Sequence, residues 1–168
     1  MTARVALVTG ASRGIGTAAA LRLAEDGHRV AVNYVRSRDE AEAVVEIIRQ
    51  SGGDAVAVGA DVGTEDGVAD LFAAVEAAYG PVGILVNNAG ATRDNLLLRM
   101  NADDWDDVLA VNLRSVFLCT KTALRGMLKA RWGRVISMTS VSGLSGNPGQ
   151  ANYAAAKAGI VGFTKSVA

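Results

Sequence analysis

Two kinds of apolar run alternate along this chain. Short, nearly continuous, β-branched blocks occupy residues 4–9, 29–35, 54–59, 82–86 and 134–138. Runs of that length and composition predict buried strands. Longer amphipathic or alanine-rich stretches lie between them, at 18–26, 39–50, 64–79, 103–129 and 152–168. In 39–50 the apolar positions are 41, 44, 45, 47 and 48, the spacing of one helix face. Gly27, Gly52-Gly53 and Gly80-Pro81 follow three of these stretches, where helices stop. Thr64 predicts an N-cap, and Asn101 or Asp103 caps the long 103–129 helix. Gly67 leaves the Thr64 capping box incomplete. Arg125, Lys129 and Arg131 gather near the end of the long helix, where cations suit the dipole.

Strand and helix repeat in turn, and the strands are apolar on both faces. That predicts a parallel sheet covered on both sides: a three-layer α/β, Rossmann-type doubly wound fold. Right-handed crossovers with a reversal after the third strand give the order 3-2-1-4-5 in one domain, 1–168. Ligands bind such sheets at the carboxyl ends of the strands, beside the reversal. The sequence places its unusual segments there: 10–16, 33–37, 61–62, 87–90 and Ser140.

Composition narrows the function classes. Lys plus Arg and Asp plus Glu number 17 each, so no basic field exists to attract nucleic acid. Half the residues are hydrophobic and 19 are glycine, which fits close helix–sheet packing and not disorder. Cys119 is the only cysteine, so no intrachain disulfide forms; it lies among apolar neighbours and is assigned to the core. No metal-ligating cluster stands out. No apolar run is long enough for a membrane span, and no signal peptide pattern precedes residue 5, so a cytoplasmic location is expected.

The segment 10–16 reads Gly10-Ala11-Ser12-Arg13-Gly14-Ile15-Gly16, between a strand and a helix. Glycines allow tight turning, and a helix N-terminus offers free N–H groups to a pyrophosphate. The spacing G-x-x-x-G-x-G differs from the G-x-G-x-x-G fingerprint, and a turn that merely packs is the alternative. NAD sites place an acidic residue at the end of the second strand. Here Asn33-Tyr34-Val35-Arg36-Ser37 carries no carboxylate, and Arg13 and Arg36 suit a phosphate, which points to NADP(H). Solvated surface charge is the other reading of both arginines. Asp61, before Val62, is placed either for the adenine amino group or for capping a helix. Asn87-Asn88-Ala89-Gly90 supplies amides and a glycine at the end of the fourth strand. Ser140, then Tyr153 and Lys157 four apart on one helix face, are placed to form a proton-transfer group, since a nearby ammonium favours the phenolate; an amphipathic pair on an ordinary helix is the alternative for the last two.

Taken together these segments resemble the short-chain dehydrogenase/reductase family. Thr9-Gly10-x-x-x-Gly14-Ile15-Gly16 is similar to its cofactor turn, Asn87-Asn88-Ala89-Gly90 to its fourth-strand motif, and Asn112, Ser140, Tyr153 and Lys157 to its catalytic tetrad. Within the family, the segments 149–159, 13–16 and 95–100 are most similar to the 3-oxoacyl-[acyl-carrier-protein] reductases of fatty-acid synthesis. The resemblance implies NADPH-dependent reduction of a 3-oxoacyl thioester, with Tyr153 as proton donor, Ser140 orienting the carbonyl, Lys157 holding the nicotinamide ribose and Asn112 holding a water. It implies cofactor contacts from Gly10, Ser12, Arg13, Gly14, Ile15, Gly16, Asn33, Tyr34, Arg36, Ser37, Asp61, Val62, Asn88, Ala89, Gly90, Tyr153 and Lys157. It also implies a homotetramer and a carrier-protein contact at Arg131, for which C-terminal helix capping is the alternative. Family members continue beyond a point equivalent to Ala168, so an incomplete sheet and lid are expected. Reduction of another ketone or alcohol, or a non-catalytic dinucleotide-binding module, are the competing functions.

Overall fold

The structure is a computed structural model and describes residues 3–168. Five strands form one parallel sheet: β1 (Val5–Val8), β2 (Arg29–Tyr34), β3 (Asp54–Gly59), β4 (Ile84–Asn87) and β5 (Arg134–Ser137). The order is β3-β2-β1-β4-β5, as the strand–helix pattern predicts. Helices α1 (Gly14–Glu25), α2 (Arg38–Gln50) and α3 (Glu65–Tyr79) connect the first four strands. After β4 come α4 (Ala102–Leu109), a π-helical turn (Ala110–Arg114) and α5 (Ser115–Ala130). A short α6 (Ser142–Ser145) and α7 (Ala151–Val167) follow β5.

Successive strand residues point to opposite faces, so each central strand feeds two layers. Val5, Leu7, Ala31 and Leu85 pack with Leu71, Phe72 and Val75 of α3 and with Leu118 and Met127 of α5. Ala6, Val8, Val30, Val32 and Val86 pack with Ala20 of α1 and Val44, Val45 and Ile48 of α2. Cys119 is fully buried in the first layer, and burial pushes its thiol up to about 12. This division explains why the central strands are apolar throughout.

Three local expectations are corrected. Helix α1 begins at Gly14 rather than residue 18, so two glycines of the turn are already helical. The stretch 103–129 is not one α-helix: a π-helical turn at 110–114 interrupts it, and Asn112 sits in that turn. Helix α6 was not foreseen, since SGLS carries no helical period. The N-caps are as read: Thr64 Oγ1 accepts the Gly67 N–H at 3.1 Å, and Asn101 Oδ1 accepts that of Asp104 at 2.7 Å. Among the described residues no helix is long and apolar enough to cross a membrane.

Candidate active site

The carboxyl ends of β1, β2 and β4 are tied together by three side chains. Thr9 Oγ1 accepts the N–H groups of Asn88 and Ala89, each at 3.0 Å. Asn88 Nδ2 donates to Thr9 O and Gly10 O, also at 3.0 Å. Asn33 is fully buried; its Oδ1 accepts the Gly10 N–H at 3.2 Å while its Nδ2 donates to Val58 O and Ala60 O. Asn33 is therefore a latch between β2, β3 and the glycine turn. Asn33 is not among the residues lining the clefts described below. Its polar atoms are all consumed by backbone.

At Gly10 and Gly16 the latched turn leaves no room for anything larger than glycine. Gly10 has φ +60°, and a Cβ there would lie 2.9 Å from Ala89 Cα. A Cβ at Gly16 would lie 2.5 Å from Asn88 Nδ2 and 2.6 Å from Gly10 O. Gly16 is buried against the loops, whereas Gly14 and Ile15 are exposed at the helix N-terminus.

Above this turn opens a cleft of about 530 Å³. Gly10, Ser12, Arg13, Tyr34, Arg36, Ser37, Asp61, Val62, Asn88, Ala89 and Gly90 line it, so most of the predicted cofactor residues converge. Asp61 also accepts the Gly63 N–H through Oδ1 at 2.9 Å, while the helix cap itself is Thr64. Val35 and Ala91 also line it, and Arg93, Asp107, Val108 and Val111, which the sequence does not single out, complete the wall. The latter come from the loop after β4 and from the broken helix, and no residue type or spacing marked them in the sequence.

A second cleft, of about 380 Å³, shares Arg13, Asn88, Gly90 and Ala91 with the first and reaches Tyr153 and Lys157. Thr92, Met138 and Thr139 also line it. The two clefts thus form one continuous depression from the arginines to the tyrosine–lysine pair. Lys157 Nζ lies 5.6 Å from the centroid of the Tyr153 ring and donates to Met138 O at 2.8 Å. Lys157 is only 4% exposed, and burial holds its ammonium below the ordinary value of 10.5. Thr139 Oγ1 donates to Lys157 O at 2.8 Å, which fixes the end of β5 against α7. Ser140 is half-buried beside them, and its Oγ accepts the Ser142 N–H at 3.2 Å. It is not among the residues lining either cleft.

Asn112 donates through Nδ2 to Ala91 O at 2.7 Å and Val108 O at 2.9 Å. Its buried Oδ1 has no partner. A Cβ built on Gly90 would lie 2.7 Å from that oxygen and 3.7 Å from Lys157 Nζ. The orphan acceptor and the buried ammonium therefore face the same small space at Gly90. Buried polar atoms without partners are rare and mark a place for water or ligand. The π turn explains how a helix residue does this: the widened turn lets an asparagine reach Val108 O and Ala91 O at once.

The site's glycine cradle, the orphan amide oxygen and the run of polar groups fit a dinucleotide. The chain matches the family described as short chain dehydrogenase over residues 4–168. It belongs to that family, whose members are oxidoreductases working with a nicotinamide dinucleotide. Curated relatives agree. The chain is 56% identical over 168 residues to a 3-oxoacyl-[acyl-carrier-protein] reductase of Synechocystis sp., covering 100% of this chain and 68% of the relative. It is 53% identical over 163 residues to a protein of that name from Staphylococcus epidermidis, covering 97% of this chain and 67% of the relative. A Staphylococcus aureus protein of that name is 54% identical over 163 residues, covering 97% and 66%. The chain thus spans about two thirds of the length of these relatives.

Proposed function

We propose that this short-chain dehydrogenase is an NADPH-dependent reductase of 3-oxoacyl thioesters carried on acyl-carrier protein, with Asn112, Ser140, Tyr153 and Lys157 as its catalytic group. The observation that carries the reading is the meeting of Lys157, Tyr153 and the unpartnered Asn112 Oδ1 at one end of a glycine-cradled cleft. The names of relatives at 53–56% identity support the substrate class.

NADPH, when bound, supplies a hydride to the ketone carbon. The residues do the rest. The Tyr153 hydroxyl gives its proton to the carbonyl oxygen, so the ketone becomes a secondary alcohol. Ser140 would turn from the Ser142 N–H to hydrogen-bond the same oxygen, placing a dipole where negative charge develops. The Lys157 ammonium beside the ring stabilises the phenolate left behind and favours proton release. A water held by Asn112 Oδ1 near Gly90 would return a proton towards Lys157. NADP preference follows from Arg13, Arg36 and Ser37 at the far end of the cleft, where β2 ends without a carboxylate. Arg131, exposed and in the left-handed conformation at φ 50°, would meet the acidic carrier, while its backbone N–H bonds Leu128 O. Self-association is part of the same reading.

The test follows NADPH absorbance with an acetoacetyl thioester while cofactor binding is titrated on the same sample. Turnover with NADPH bound more tightly than NADH is expected. Binding without turnover of any ketone would leave only a dinucleotide-binding module, and equal NADH affinity would remove the NADP assignment.

A further inference from the structure

Asn152 precedes the proposed acid and is completely buried. Helix α7 starts at Ala151, and its N-cap position, Gln150, makes no side-chain cap bond. The Tyr153 N–H is one of the first-turn donors that have no acceptor within the helix. Asn152 Oδ1 accepts it at 2.8 Å. The other end of the same amide reaches away from α7. Nδ2 donates to Arg93 O at 3.1 Å and to Asp104 O at 3.2 Å. Arg93 lines the cofactor cleft, and Asp104 belongs to α4, whose Asp107 and Val108 also line it. One buried side chain with every polar atom satisfied thus joins the backbone of Tyr153 to two walls of the cleft.

We propose that Asn152 is a positioning residue that locks Tyr153 to the cofactor-cleft wall through Arg93 and Asp104. A simple helix cap needs only the acceptor Oδ1. The two donor bonds are spent outside α7, on the loop and helix that border the cofactor. They set the distance between the cleft and the tyrosine ring, and a displacement of about 1 Å at a reacting group costs on the order of 100-fold in rate. The consequence for catalysis rests on the reductase reading above; the lock itself does not.

Two variants separate locking from capping. Asn152→Asp keeps an acceptor for the Tyr153 N–H and removes both donors, and a carboxylate is well suited to a helix N-terminus. Asn152→Ala removes all three bonds. If Asn152 only caps, Asn152→Asp retains wild-type kcat, and that result overturns the proposal. If it locks, both variants lose about 10- to 100-fold in kcat while the KM for NADPH changes by less than about threefold. Amide hydrogen exchange tests the lock without turnover. In the wild-type chain the Tyr153 amide should exchange at least about tenfold more slowly than that of Ala151. Saturating NADPH should slow the Tyr153 amide further in wild type and not in Asn152→Asp. An unprotected Tyr153 amide in the folded wild-type chain refutes the lock whether or not the chain reduces a ketone. A protected amide with no ketone turnover retains the lock and refutes the reductase reading instead.

Discussion

The cofactor end and the acid end of the cleft are built in different ways. Around Gly10–Gly16 the strands β1, β2 and β4 are buried almost throughout, and the loops above them are held by Thr9, Asn33 and Asn88 against backbone. Here the wall is mostly main chain, and close packing sets its shape. At the other end β5 alternates exposed and half-buried residues, and most of α7 is half-buried or exposed. There the geometry depends on individual buried polar side chains: Asn112, Asn152 and Lys157, each bonded to a carbonyl of a different segment. On the proposed reading the first region holds a ligand by excluding side chains, and the second does chemistry by placing them. Substitutions should therefore harm binding and stability in the first and rate in the second.

The largest effect expected tests that division directly. Tyr153→Phe removes the proposed proton donor and should lower kcat about 100- to 10,000-fold, with NADPH affinity within about twofold of wild type. Equal loss of binding and rate would break the contrast between the two regions.

Lys157→Met should also cost about 100-fold or more in kcat, yet it should not destabilise the apo chain at neutral pH. The ammonium is buried, and its folded pKa lies below its unfolded value of 10.5. The unfolded state then binds more protons in the window beneath 10.5, so wild-type stability rises with pH there. The charged form of the lysine carries a desolvation cost, which methionine lacks. Thermal melts should show Lys157→Met as stable as wild type or more so, with its advantage shrinking as pH climbs towards 10.5. A melting temperature well below wild type at pH 7 would count against this.

Gly16→Ala probes the other region. Its Cβ would meet Gly10 O at 2.6 Å, a backbone atom with little freedom to move. A loss of about 1–3 kcal/mol is expected in denaturant titration, with weaker NADPH binding and an unchanged acid. The smallest effect is Arg36→Ala. It should weaken NADPH about tenfold and leave NADH affinity as it was, measured by fluorescence titration. Equal weakening of both cofactors would show that Arg36 does not select the phosphate.

Much of this was legible before the fold was known. Strand–helix alternation carried the parallel sheet and its order, because apolar blocks without period must be covered on both faces. Gly10, Gly16 and the Tyr153–Lys157 spacing are local features, so the chain itself displays them. Asn33 shows where that legibility ends. A polar residue at a strand end beside a glycine turn looks like a ligand contact, and only the fold shows β3 and the turn consuming its amide. Asn152 and Arg93 are the converse. They are 59 positions apart and meet through one hydrogen bond.

The sequence by itself determined the layered fold, the glycine turn and the pairing of Tyr153 with Lys157, since each depends on residues close together in the chain. The tertiary structure decided which amide groups are left unpartnered and which are spent on backbone. It also decided that the 103–129 helix opens into a π turn at Asn112, leaving that oxygen without a partner beside Lys157. Those outcomes depend on competition among distant groups for a limited number of buried hydrogen bonds, and no local pattern encodes the result.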